Sequence, residues 1–211
     1  MLRTFLEDLS AVQHNDPAAK NRVETLLCHS PLHAIVLYRI AHALHTRLRI
    51  PLLPRLISTF AHFLTGVEIH PGARIGRRFF IDHGTGVVIG ETSEIGDDCV
   101  MFHNVTLGGT GKHRGKRHPT LHENVFIGTS ATLLGPITVG SNAKIGANSF
   151  IRMHDVPPNC TAAGAPARVV KRDGHLVDEA LPRTQISEHS IPVAIPGSSR
   201  EPGDSAARGA R

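Results

Sequence analysis

Two short stretches concentrate side chains able to move a proton or grip an anion. The first is Asp82-His83-Gly84-Thr85-Gly86, a histidine directly after an acid inside a glycine-rich turn. Imidazole has its ordinary pKa near neutrality, so it is the side chain best suited to take a proton from a weak nucleophile at physiological pH. An acid such as Glu68, one structural repeat earlier, is placed to bond the second ring nitrogen and fix the tautomer. The second stretch is the basic run Lys112 to His118, which follows Gly108, Gly109 and Gly111. Within it, the planar guanidinium of Arg117 suits an anion held by two parallel hydrogen bonds. With 15 histidines in the chain, most must be ordinary surface or core residues, and only motif context separates His83 and His118 from the rest.

The elements that position these groups follow from a period of six. Ile69, Ile75, Ile81 and Val87 recur at that spacing; after a two-residue slip the series resumes as Ile89, Ile95, Met101 and Leu107, then as Leu121, Ile127, Leu133, Val139, Ile145 and Ile151. Glycine follows the aliphatic at 76, 90, 96, 108, 128, 140 and 146. The position four after it is small or β-branched: Ala73, Thr85, Ser93, Cys99, Val105, Val125, Ala131, Ala143 and Ser149. Each unit reads as a short strand plus a tight corner, with the aliphatic inside a narrow prism and glycine relaxing the corner backbone. Such a unit cannot bury its face alone, so the pattern predicts a mainly β, left-handed parallel β-helix of stacked rungs over 67–171. The span from Leu107 to Leu121 is eight residues too long for one hexad and must leave the prism as a loop over 108–120, a place where function concentrates.

Residues 1–66 carry helical spacing (Leu32, Ile35, Val36, Ile40, Ala43, Leu44) and a helix start at Asp16-Pro17, predicting an N-terminal helical domain. The segment 172–211 is rich in Pro, Gly, Ser and charge and is predicted to be a disordered tail. Charge and composition narrow the partners. With 23 Lys and Arg against 18 Asp and Glu, the net +5 favours an anionic ligand, yet one Tyr, no Trp and no zinc-finger or helix-turn-helix spacing argue against nucleic acid. Three scattered cysteines fit neither a disulfide framework nor a metal knuckle and point to the cytoplasm; charges in the first ten residues exclude a secretory signal. Arg39, Arg47, Arg49, Arg55, Pro51 and Pro54 break the apolar stretch 31–67, so no membrane span is expected.

Within this frame the stretches Val67–Gly72, Ile81–Thr92, Val105–Lys112, Lys116–Pro119 and Ala163–Arg168 resemble the serine acetyltransferases of cysteine biosynthesis, over about residues 5–171. Hexapeptide repeats alone would indicate only a wider acyltransferase superfamily; the Asp-His-x-Thr-Gly and Arg-His-Pro pieces joined by the glycine-rich loop carry the narrower resemblance. It implies acetyl-CoA as co-substrate, no metal, His83 as base with Glu68 behind it, and Asp16 and Asp82 on the ammonium of L-serine. Arg117 would meet the substrate carboxylate, and His118 the carboxylate or oxyanion, with the Gly109 N–H a second oxyanion donor. Gly109, Thr110, Ala147, Gly164 and Ala165 would line the pantetheine groove, with Arg168 and Lys171 near the phosphates; no P-loop or dinucleotide fingerprint is present. Two residues depart from the family's habit: Glu68, where Asp is common, and Gly84, where Ala is usual.

The resemblance also implies a homotrimer, or a hexamer of paired trimers, with sites between neighbouring β-helices, and L-cysteine as feedback inhibitor. It brings in a sulfhydrylase partner that captures a C-terminal isoleucine; a chain ending Ala207-Arg-Gly-Ala-Arg211 is not expected to form that complex tightly, because burying an unpaired guanidinium is costly. The main alternative is a hexapeptide O-acetyltransferase for a sugar or antibiotic hydroxyl, disfavoured because a neutral acceptor leaves Asp16, Asp82 and Arg117 unpaired. A zinc carbonic anhydrase using His83, His118 and His122, and a non-catalytic scaffold, are weaker alternatives.

Overall fold

A computed structural model describes residues 2–111 and 114–185. Four helices come first, α1 (Leu2–Asn15), α2 (Arg22–Cys28), α3 (Ser30–Thr46) and α4 (Leu53–Thr65), and sixteen short strands follow. The strands stack into three ladders that form the faces of a prism. Face 1 is β1 (Glu68–Ile69), β4 (Val88–Ile89), β7 (Thr106–Gly108), β10 (Thr132–Leu134) and β13 (Phe150–Arg152). Face 2 is β2 (Arg74–Ile75), β5 (Glu94–Ile95), β8 (Thr120–Leu121) and β11 (Thr138–Val139). Face 3 is β3 (Phe80–Ile81), β6 (Val100–Met101), β9 (Phe126–Ile127) and β12 (Lys144–Ile145), extended by β14 (Cys160–Gly164), β15 (Ala167–Arg172) and β16 (His175–Ala180). Pairing is parallel throughout the coils, with Ile69 opposite Ile89, Ile75 opposite Ile95 and Ile81 opposite Met101. This is the β-helix that the period of six predicts.

The two-residue slip falls elsewhere than expected. Val87 is not a strand aliphatic; it is a buried corner residue just before β4, and Thr85, expected at an inner corner, is exposed. The extra two residues therefore lie in the turn 82–86, where His83, Gly84 and Gly86 have φ of 59°, 78° and 77°. The insertion pushes His83 outwards.

The glycines after each strand also have another cause. Their φ is not positive; the αL corners belong to Arg78, Asp98, Asn104, Asn124, Asn142, Asn148 and Asn159, with short polar side chains predominating as the sterics of αL favour. A Cβ on Gly76 would lie 2.7 Å from the Gly96 carbonyl carbon, and one on Gly128 would lie 2.7 Å from the Ala147 nitrogen. Close approach of the next coil, not corner flexibility, excludes a side chain. Asn124 Nδ2 donates to Asn142 Oδ1 at 2.8 Å and Asn142 Nδ2 to Asn159 Oδ1 at 2.9 Å, which continues the stacking outside the prism.

The helices are bonded to the first coil rather than tethered beside it. Asp8 is 1% exposed and accepts from Arg39 Nε at 2.7 Å, while Arg39 Nη2 donates to the Gly76 carbonyl at 2.7 Å. Burial raises the Asp8 carboxyl pKa against the opposing pull of Arg39. The Tyr38 hydroxyl donates to the Ala73 carbonyl at 2.6 Å and Ser58 Oγ to the Ile69 carbonyl at 2.7 Å. These contacts set the end of α1, and so Asp16, against the prism.

One expectation needs correction. Residues 172–185 do not begin a structureless tail: Arg172 ends β15, which pairs antiparallel with β14 and β16, and the Arg172–Glu179 and Arg168–Asp178 ion pairs cross the hairpin. Charge read as disorder is here cross-strand pairing. Residues 186–211, including the chain end invoked for the sulfhydrylase, lie outside the described residues, as does Lys112.

Candidate active site

The chain passes from face 3 to face 1 through the turn carrying Asp82 and His83, and from face 1 to face 2 through the loop carrying Arg117 and His118. The predicted groups thus gather at two different corners.

At the first corner, His83 is exposed, its side chain 74% accessible, and Nε2 lies 3.9 Å from Asp82 Oδ2. Its ring packs edge-on against His103, one coil on, at 5.7 Å between centroids. Glu68 stands exposed on β1, and among the described residues it makes no hydrogen bond to His83 within one chain; the acid within reach is Asp82. Asp16, just past α1, accepts from the Ala18 N–H at 2.8 Å in a tight turn. Asp16 and Asp82 come near the same point: both act on the charge of His29, whose pKa burial lowers and these two carboxylates raise. Here the missing Cβ of Gly84 has a use. A methyl group there would lie 2.8 Å from Val67 Cγ2 and 2.9 Å from Pro31 Cγ, so the usual alanine would crowd Val67 and the start of α3.

At the second corner, Arg117 is ion-paired with Glu91, and its Nη1 donates to the Gly115 carbonyl at 3.3 Å. The guanidinium expected as a free fork is therefore partly engaged, with Nε–H and the second amine hydrogens remaining. The Arg117 hydrogen bond holds the Glu91 carboxyl below its ordinary pKa. His118 is 8% exposed and its Nδ1 lies 2.9 Å from Thr92 Oγ1. Burial first, then Arg117, pulls its pKa down to about 4, with Glu91 opposing. Lys116 Nζ donates to the Thr92 carbonyl at 2.7 Å, and burial lowers its pKa. A cavity of about 370 Å³ opens beside this corner, lined by Gly72, Arg74, Glu91, Glu94, Gly115 and Lys116 among others.

The expected acetyl-CoA residues divide in the same way. Gly109 and Thr110 follow β7 at the second corner, with Thr110 Oγ1 3.5 Å from Met153 Sδ. Ala147 follows β12 at the first corner, three coils above His83, and Gly146 abuts Ala163, which leads into Gly164 and Ala165 in the hairpin turn. Arg168 is paired with Asp178, and Lys171 is exposed on β15. The three histidines of the zinc alternative fall on three separate corners, since His122 follows β8 between faces 2 and 3, and among the described residues no cluster could hold a metal ion. Nothing in the sequence alone singles out Glu91, Thr92, His29 or His103. The first two sit in the Ile81–Thr92 motif and read there as signature rather than chemistry; His103 is His83 plus the 20-residue length of the first coil.

Comparison with known proteins gives this arrangement its relatives. Residues 118–152 match the bacterial transferase hexapeptide family of six repeats. The chain is 52% identical over 178 residues to the serine acetyltransferase of Synechococcus elongatus, covering 84% of this chain and 72% of that protein. It is 55% identical to that of Bacillus subtilis, covering 85% and 82%. Among solved structures, a serine acetyltransferase in complex with cysteine superposes with a TM-score of 0.78 at 44% identity, over 82% of this chain and 66% of that one. The soybean enzyme complexed with serine superposes with a TM-score of 0.74 at 43% identity, over 80% and 68%. The chain spans about two thirds of the length of these structures. No helix among the described residues is long and apolar enough to cross a membrane. With half its residues shared over more than four fifths of its length, and with both corner motifs inside the shared span, the chain belongs to the serine acetyltransferases.

Proposed function

We propose that acetyl transfer from acetyl-CoA to the L-serine hydroxyl runs across both corners, brought together by neighbouring copies of the chain. The observation that carries this reading is the exposed His83 beside Asp82, whose carboxylate shares the surroundings of His29 with that of Asp16: an ammonium needs carboxylates, and a hydroxyl three bonds from that nitrogen then falls within reach of the base. His83 takes the hydroxyl proton as the oxygen attacks the thioester carbonyl. The oxyanion is met by the Gly109 N–H and His118. Collapse expels the CoA thiolate, which receives the proton from His83, leaving O-acetylserine and CoA. Glu68 of the same chain supports the imidazolium by charge. The remaining donors of Arg117 hold the serine carboxylate, and the groove from Gly109 and Thr110 towards Ala147, Gly164 and Ala165 takes the pantetheine arm, with Lys171 and Arg168 at its phosphate end.

Corners at opposite edges of face 1 cannot both touch one small amino acid, which supports a cyclic homo-oligomer, a trimer or paired trimers, with each site between copies. The serine and cysteine complexes of the related structures support serine as acceptor and L-cysteine as a competitor presenting the same ammonium and carboxylate. Three free cysteines fit work in the cytoplasm. The test is thiol release from acetyl-CoA with L-serine, L-homoserine, a sugar and chloramphenicol side by side. L-serine is expected to be fastest and L-cysteine to compete with it; faster release with the sugar or chloramphenicol would move the chain to another acceptor.

A further inference from the structure

Three consecutive residues near the end of the inserted loop, Lys116, Arg117 and His118, hang on one threonine. Thr92 lies between β4 and β5, at the corner where the loop returns to the prism. Its carbonyl accepts from Lys116 Nζ at 2.7 Å, and its Oγ1 lies 3.0 Å from the Arg117 nitrogen, 3.1 Å from the His118 nitrogen and 2.9 Å from His118 Nδ1. Its own backbone nitrogen lies 3.2 Å from the same Nδ1.

Counting donors and acceptors decides where the protons are. A hydroxyl has one hydrogen and two lone pairs. The N–H groups of Arg117 and His118 can only donate, so they occupy both lone pairs, and the hydroxyl hydrogen is left for Nδ1. The Thr92 N–H also donates to Nδ1. A nitrogen that accepts twice carries no proton, so the neutral ring holds its hydrogen on Nε2.

We infer that Thr92 is a positioning residue for the reaction: it locks His118 in the Nε2–H tautomer, so that this ring offers the substrate a hydrogen-bond donor and never a base. The inference deepens the proposed acetyl transfer by specifying the chemistry of one group in it, a donor for an anionic oxygen.

The surroundings agree. A Cβ on Gly90 would overlap the imidazole, so the ring needs that glycine bare, and the Cβ position of Gly109 lies 3.6 Å from Nε2. The Nε2–H thus points into the neighbourhood of the Gly109 backbone, the other donor assigned to the oxyanion, and the two form a pair. The charged and titratable groups that face the ring are Arg117, Lys116, His70 and Glu91. The first two oppose a positive ring and Glu91 favours one; with burial, the balance keeps His118 neutral far below pH 7. Protonating Nδ1 would also require both Thr92 bonds to break.

The experiment is ¹⁵N NMR of the histidine rings in the full-length protein, with the His118 signals identified by their absence from His118→Asn, alongside kinetics of Thr92→Val and Thr92→Ser. Wild type is expected to show an unprotonated Nδ1 and a protonated Nε2 unchanged between pH 5 and 8, a range taken from the ordinary histidine pKa. Thr92→Val should mix the two tautomers, let the ring titrate nearer the ordinary value, and lower kcat by about tenfold with the serine and acetyl-CoA KM values within about twofold, as partial loss of one oxyanion donor predicts. Thr92→Ser should behave as wild type. A wild-type ring protonated on Nδ1 overturns the inference without any variant. So does a Thr92→Val protein that keeps the single tautomer and the wild-type kcat. The ring spectra are read without turnover, so absence of serine acetylation would overturn the proposed function while leaving the tautomer separately decided.

Discussion

The two corners carry the same side chain in opposite conditions. His83 sits in a two-residue insertion with its side chain 74% accessible, one acid 3.9 Å away and no hydrogen bond fixing its ring among the described residues. His118 is 8% exposed, pinned by a threonine, and held down to a pKa of about 4. A base must meet the substrate hydroxyl, and an exposed ring with no hydrogen bond to hold it is free to do so. A donor must not change state, and burial among cations ensures that it does not. The contrast shows that the fold assigns roles to identical residues by where the coil is lengthened. Two extra residues at one corner push a ring out, whereas eight at the next let a loop fold back and bury one.

The strongest way to break this comparison is at the base. His83→Ala is expected to lower kcat by roughly 10² to 10⁴ with the circular dichroism of the β-helix unchanged. Turnover near wild type would remove His83 from the mechanism. At the other corner, Arg117→Lys should raise the serine KM by about ten- to a hundredfold and the acetyl-CoA KM far less, because an ammonium reproduces neither the fork nor the simultaneous bond to Glu91. An equal rise in both constants would place Arg117 on the acetyl-CoA side. Glu68→Gln should cost kcat about tenfold, less than His83→Ala, since no bond joins Glu68 to the ring and only its charge is lost; equal severity would give Glu68 a direct part.

The comparison also has a signature in stability. His118 and His70 are both held at a pKa of about 4 against an ordinary 6.5, so between those values the unfolded chain binds protons that the folded chain refuses. Stability should therefore fall as pH drops from about 6.5 to about 4, with each residue contributing up to about 1.4 kcal/mol per pH unit. Urea midpoints at pH 7 and pH 4.5 measure this, and His118→Gln should flatten the dependence. The smallest expected effect is that of Gly84→Ala, about 1–3 kcal/mol from crowding against Pro31 and Val67. A thermal midpoint equal to wild type would show that the α3 start yields easily.

Much of this was legible because a six-residue period is a strict geometric demand. Thirteen of the fourteen aliphatic positions occupy strands, and the fourteenth, Val87, fails only because a slip in a periodic pattern can be placed on either side of its insertion. The motif residues His83, Asp82, Arg117 and His118 announce themselves by type. Their partners do not: Thr92 and Glu91 matter through contact with residues some 26 positions away, across a loop whose return path no local spacing encodes. The hairpin at 167–180 was hidden because its charges form cross-strand pairs, which composition alone cannot tell from a solvated tail.

The central claim is that the base corner of one copy works with the anion-binding corner of another, and subunit mixing tests it most directly. His83→Ala and Arg117→Ala proteins, each inactive alone, would be unfolded together in equal amounts, refolded, and assayed for serine-dependent thiol release. Random cyclic assembly should restore about one quarter of wild-type specific activity, because about that fraction of interfaces pairs two intact corners. Recovery no greater than either variant refolded alone, from oligomers shown to contain both chains, would contradict the claim.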